Sequence, residues 1–248
     1  MSTSAVFSFW LSGSALETIR SHLYRHSIRD MRASPTANLL LSGVLLLFLN
    51  FLFIATPVFS DEGDSRSMGD RFGSGSRQIA VLGGYGIGFR MGSQADRESS
   101  RELAGVRLVE FIPRFGIGMT DRLGGDAWYN GSFETLFEGA LFHNTAQNGG
   151  NGAGLGTTLR YNFLSSDRVV PFFDANFGII SLNLDLERQS DGFNFNVGFG
   201  GGAHWFVSDN AAITTEVRWQ HISNAKTELP NDGINAGLFL LGYSYFYR

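Results

Sequence analysis

From Arg77 to the C terminus the chain alternates apolar and polar residues with a period of two, the period of a β-strand half in and half out of an apolar environment. Eight runs carry it: Gln78–Arg90, Leu108–Met119, Ser132–Phe142, Leu155–Phe163, Val170–Ile180, Phe193–Val207, Ala211–Ser223 and Ile234–Tyr247. In every run the odd-numbered positions are the apolar set. They include Ile79 and Tyr85, Phe111 and Phe115, Phe133 and Phe137, Leu159, Phe173 and Phe177, Phe199, Val217 and Phe239. The even positions carry Glu110 and Arg114, Glu134 and Glu138, Arg160, Asp174, Asn194 and Asn196, His204, Glu216 and Arg218.

A soluble sandwich would turn the apolar face inward. Two features favour the opposite assignment: an apolar leader and a last strand that alternates aromatics to the end of the chain. Runs of about 9–13 residues also suit strands that cross a bilayer at a tilt. The pattern therefore predicts an all-β fold, an eight-stranded antiparallel transmembrane β-barrel spanning residues 77–248. Odd side chains face lipid and even ones face the lumen. With about eight strands, side chains fill that lumen, so it should be a buried ionic network and not a channel. His204 is expected there as a satisfied interior histidine. An even strand count puts both ends of the barrel chain on one side, the periplasmic side in this class. Strand seven then ends at the outer leaflet.

The leader, residues 1–60, reads as an N-terminal extension and signal peptide. Leu39–Ile54 is almost wholly apolar, Arg29 and Arg32 precede it, and Val58 and Ser60 fit a small-residue cleavage site before Asp61. An uncleaved anchor helix is the alternative, and Met31 competes with Met1 as the start. Residues 61–76 are polar and rich in Gly and Ser, a flexible lead-in.

Composition narrows the chemistry. The net charge of −4 offers nothing to nucleic acid, and without cysteine there is no disulfide or thiolate site. The glycine clusters at 83–86 and 200–202 are followed by no helical pattern, so they are strand-packing features and not phosphate loops. His22 and His26 lie in the leader and His143 stands alone at an expected outer loop, so no metal or other cofactor is predicted. Gly92–Ala104 and Asn144–Gly154 are expected as variable loops.

One stretch departs from a plain barrel wall. On the lipid face of strand seven, Trp219 is followed by His221 and Ser223. Side chains two apart on a strand lie within about 7 Å of each other, close enough for an imidazole to hydrogen-bond a hydroxyl. That is a nucleophile and its base, still wanting a third group to orient the ring. In the competing reading strand seven has already left the membrane and both are loop residues. No G-x-S-x-G elbow occurs, which excludes an α/β-hydrolase.

The stretch His221-Ile222-Ser223-Asn224-Ala225, followed by Pro230-Asn231-Asp232-Gly233-Ile234, resembles the PagL-type lipid A 3-O-deacylase family. The resemblance is strongest over Trp219–Gly242. It implies a bacterial outer-membrane barrel acting on lipid A of the lipopolysaccharide leaflet, by ester hydrolysis that removes an acyl chain. It makes Ser223 the nucleophile and His221 the general base. Asn224, Asn231, Asp232 and Gly233 would then support the site and its oxyanion pocket. The family pattern has a glutamate where this chain has Asn235, on the same outer face as His221. An asparagine can fix the imidazole tautomer but brings no negative charge. The departure leaves three outcomes: a weaker hydrolase, a site that uses Asp232 or Glu228 as its acid, or a barrel without activity. The alternative function is a non-catalytic structural or adhesive barrel. Expected partners are the membrane and its lipid A, with a homodimer kept open.

Overall fold

The computed structural model describes residues 71–91, 101–146 and 149–248. The signal-like leader and the first part of the lead-in lie outside the described residues. Eight strands appear in order: β1 Arg77–Phe89, β2 Arg107–Gly118, β3 Gly131–Asn144, β4 Asn151–Phe163, β5 Val169–Asn183, β6 Gly192–Phe206, β7 Ala211–Ser223 and β8 Ile234–Tyr247. They form one closed barrel in sequence order. β1 closes it by pairing antiparallel with β8, Ile79 opposite Tyr245 and Tyr85 opposite Phe239. Closure leaves no unpaired strand edge, the condition for a sheet in hydrocarbon. We call the end holding the start of β1 and the end of β8 the near end; β7 finishes at the far end.

The parity assignment holds around the whole barrel. Phe177, Phe199, Val217 and Phe239 are exposed, while Leu82, Arg160, Asp174 and Glu216 are buried. β4 begins at Asn151, earlier than the predicted Leu155, because its first turns are glycine where apolar alternation cannot register. A Cβ at Gly152 would lie 2.3 Å from the Phe142 ring, and one at Gly154 2.9 Å from the Ile180 Cα. The expected loop 92–104 also contains structure, a short helix α1 at Arg101–Gly105 whose Leu103 is buried.

The lumen is layered. At mid-height lies an ionic network centred on Glu216, which accepts from Arg114 Nη1 at 2.7 Å, Arg218 Nε at 2.8 Å and Arg160 Nη2 at 3.2 Å. Glu138 joins it through Arg114 and Arg218, both at 2.8 Å, and Asp174 through Arg160 at 2.8 Å. These are charge-assisted lengths. His204 is a satisfied interior histidine, with Nδ1 2.8 Å from the Thr214 hydroxyl. Toward the far end the even positions become apolar, with Leu82, Leu108, Ile112, Ile180, Ile222, Ile234, Leu238 and Leu240 in one cluster.

A second cluster of Phe72, Leu164, Val170, Ala212 and Phe246 closes the near end. Phe72 belongs to the lead-in that composition presents as flexible. Its ring packs 5.0 Å from Phe246 and is buried, because one aromatic among polar neighbours suffices to anchor a segment; burial of such a ring is worth about 1.5–3 kcal/mol. The cavity beside Glu110, Glu138, Asn176 and Arg218 has a volume of about 10 Å³. That is room for about one water, as expected of a lumen filled by side chains.

Glu216→Gln removes the charge that three guanidiniums share. Breaking a buried ion pair costs about 3–5 kcal/mol, and urea unfolding of the barrel in lipid vesicles should show a loss of that size. A smaller loss than Leu240→Ala produces would mean that the network is not a main support.

Candidate active site

β7 remains a strand through Ser223, so His221 and Ser223 are wall residues and the loop reading of them is set aside. The pleat turns both outward on the Trp219 face. Register supplies the third group: His221 lies directly opposite Asn235 on β8 and opposite Val197 on β6. The His221 Nδ1 is 2.9 Å from Asn235 Oδ1 and its Nε2 is 3.1 Å from Ser223 Oγ. An amide oxygen only accepts, so Nδ1 carries the hydrogen and Nε2 is left to accept from the hydroxyl. This is the arrangement a serine nucleophile needs: a base at its oxygen and a group fixing the base's tautomer. Asn235 is buried while His221 and Ser223 remain partly open.

Two further contacts hold the ring. Trp219 stacks on it, with centroids 6.0 Å apart and planes 16° from parallel. Gly233, at φ +76°, lies against its edge; a Cβ there would fall 2.6 Å from Cε1 and 3.3 Å from Nε2. Glycine is therefore required at 233 twice over, by its left-handed backbone and by the ring.

The other residues that the family resemblance brings forward have structural partners. Asn224 donates from Nδ2 to Ser190 Oγ at 2.6 Å and to the Glu228 carbonyl at 2.9 Å, and its Oδ1 accepts from Lys226 N at 2.9 Å. It builds the turn after Ser223, in which Ala225 and Lys226 take φ of 55° and 65°. With both amide hydrogens engaged there, its side chain is not an oxyanion donor in this arrangement. Asn231 Oδ1 accepts from Asn224 N at 2.9 Å and from Gln189 Nε2 at 3.1 Å. The Asp232 carboxylate pairs with Arg188 Nη2 at 2.5 Å, and the Gly233 N–H donates to Gln189 Oε1 at 2.9 Å. Asp232 is thus held by an arginine, Glu228 is exposed on the loop, and the residue on the imidazole is Asn235.

Sequence reasoning missed the β5–β6 loop. Arg188, Gln189 and Ser190 all reach the β7–β8 loop, yet E-R-Q-S-D has no periodicity to mark it. Among the described residues no group of three or more His, Cys, Asp or Glu could hold a metal ion. His143, on another part of the wall, bonds Asn151 at 3.0 Å.

Residues 114–244, more than half of the 248-residue chain, match the family described as lipid A 3-O-deacylase (PagL). No curated protein matches. Similar solved structures include the outer membrane enzyme PagL, at 17% identity and a TM-score of 0.43, covering 68% of this chain and 98% of that one. Neisserial surface protein A is similar at 15% identity and 0.41, covering 69% and 95%. Ail, the attachment invasion locus protein of Yersinia pestis, is similar at 13% and 0.41, covering 70% and 99%.

Gly233→Ala should displace the imidazole. Since a misplacement of about 1 Å can cost about 100-fold in rate, labelling of Ser223 by a fluorophosphonate should slow by about that factor, with the barrel still folded by its heat-dependent gel mobility. An unchanged labelling rate would show that residue 233 does not hold the ring.

Proposed function

Because the chain belongs to the lipid A 3-O-deacylase (PagL) family, we propose that it is a serine esterase of the bacterial outer membrane that removes an ester-linked acyl chain from lipid A. The observation that carries this reading is the Ser223–His221–Asn235 relay on the outer wall, among side chains whose exposure only lipid makes sensible. Val217 is 62% exposed and Phe239 56%, far more apolar surface than a barrel in water would present.

In the proposed reaction Ser223 Oγ attacks the ester carbonyl while its proton passes to His221 Nε2. The C–O bond to the sugar then breaks, and the departing alkoxide takes that proton. Water attacks the acyl-enzyme by the same route, frees the fatty acid and returns Ser223. The Asn224 amide and the N–H groups of Asn224, Lys226 and Thr227 are all engaged within the loops, so an oxyanion donor has to be freed from one of these bonds when substrate binds. Acyl chains lie along Phe199, Trp219 and Phe239. Gly237, opposite Trp219 in the register, leaves a notch there, where an added Cβ would meet only the Phe89 ring at 3.9 Å.

Asn235 orients the ring without charge, so imidazolium forms with no carboxylate beside it. The Asp-to-Asn change in a serine protease costs about 10⁴ in rate, so the enzyme proposed here is a slow one. The relay lies within one chain, and nothing in the family match supports a homodimer.

Mass spectrometry of lipid A from cells making the wild type should show loss of one acyl chain, and Ser223→Ala should abolish it. Unchanged lipid A in both, with the protein inserted, would leave a non-catalytic structural or adhesive barrel. Asn235→Asp keeps the size and adds the charge. It should raise turnover by about tenfold or more, within the ~10⁴ bound set by the protease comparison; equal or lower turnover would mean that the missing charge does not limit the rate.

A further inference from the structure

The β5–β6 loop contributes a side chain that the sequence pattern does not mark. Gln189 is 1% exposed, although it lies in a loop at the barrel's far end. Its amide is used on both sides. Nε2 donates to Asn194 Oδ1 at 2.8 Å and to Asn231 Oδ1 at 3.1 Å, and Oε1 accepts from Gly233 N at 2.9 Å. Around it the two loops are zipped together by backbone: Ser190 N donates to the Pro230 carbonyl at 2.8 Å and Asp232 N to the Arg188 carbonyl at 3.0 Å. Gln189 and Asn231 form the bridge between these bonds.

A glutamine so buried would be costly if it served only to fill space, because each unmet polar group costs about 1–3 kcal/mol. What it fixes is specific. Gly233, the residue its oxygen holds, is the one at which an added Cβ would fall 2.6 Å from Cε1 and 3.3 Å from Nε2, on one edge of the His221 ring. That edge carries the nitrogen facing Ser223 Oγ. The chain of contacts thus runs from Gln189 Oε1 to the Gly233 N–H, from the Gly233 backbone to the imidazole edge, and from Nε2 to the nucleophile. Trp219 covers the ring's face and Asn235 holds its other nitrogen, so Gly233 supplies the remaining stop. Arg188 ties the same loops at the half-buried rim, through the Asp232 carboxylate.

We propose that Gln189 is a positioning residue of the active site, which sets the Gly233 backbone as a stop that keeps His221 Nε2 aimed at Ser223. The inference rests on the esterase reading for its catalytic consequence, but its structural part can be read without activity. The test is ¹⁵N NMR of histidine-labelled protein in micelles, with the His221 signals assigned by His221→Gln. The wild type should show His221 as one tautomer, hydrogen on Nδ1. Gln189→Met, of similar length but without the amide, should keep that tautomer, which Asn235 fixes, but shift the His221 Nε2 resonance as its hydrogen bond to Ser223 Oγ is lost. It should also slow fluorophosphonate labelling of Ser223 by about 100-fold through the inactivation rate constant, leaving reagent binding unchanged. Arg188→Gln should leave both the Nε2 resonance and the labelling rate as in the wild type.

An unchanged His221 Nε2 resonance in Gln189→Met would overturn the proposal. So would an equal effect in Arg188→Gln, which would make the loop junction as a whole responsible. If the Nε2 resonance responds as stated but wild-type protein neither labels nor deacylates, the positioning stands and the esterase reading fails.

Discussion

Glu216 makes this barrel possible. Its carboxylate lies in the lumen within reach of three guanidiniums, and each of those is tied in turn to Glu138 or Asp174. Charge taken from water is tolerable only where it is neutralised and hydrogen-bonded in place. Once these charges are paired inward, the opposite face of the strands is free to be apolar. Apolar layers above and below the network keep water from it. The wall's outward character follows from how completely the interior is closed.

That wall explains why a hydroxyl and an imidazole at its far rim matter. A strand offers its outer face at every second residue, so His221 and Ser223 become neighbours with no help from a loop. Antiparallel pairing then delivers Asn235 opposite the histidine. The sheet alone thus builds the relay, on rigid elements that hold geometry better than loops do. The loops add the finer settings: the turn after Ser223 organised by Asn224, and the Gly233 backbone pressed on the ring.

Much of this was legible in the sequence, for a physical reason. Strand parity is a one-bit signal repeated many times, and Phe177, Glu216 or His221 each declare their face. Hence the barrel, the inward charges and the His221–Ser223–Asn235 face were all readable. Register across β7 and β8 sets Asn235 opposite His221, as its shared parity with Phe239 implied. Elements whose placement depends on distant partners were not readable. Phe72 looked like part of a tether because the pocket formed by Phe206 and Phe246 lies far along the chain. α1 is short and lies within an expected loop. Gln189 gives no local sign, since its partners Asn194, Asn231 and Gly233 acquire meaning only when two loops meet. Asn224 was readable as important but not as a turn-builder, because an asparagine's role depends on which of its donors are already engaged.

The filled lumen has one last bearing. With the lumen of the described residues filled by side chains and Ser223 facing outward, a lipid that meets Ser223 does so sideways, within the leaflet. Encounter is then two-dimensional: its measure is molecules per unit area of membrane, and dilution of the surrounding solution leaves it untouched. A wall-borne site of this kind responds to the makeup of its own sheet of lipid.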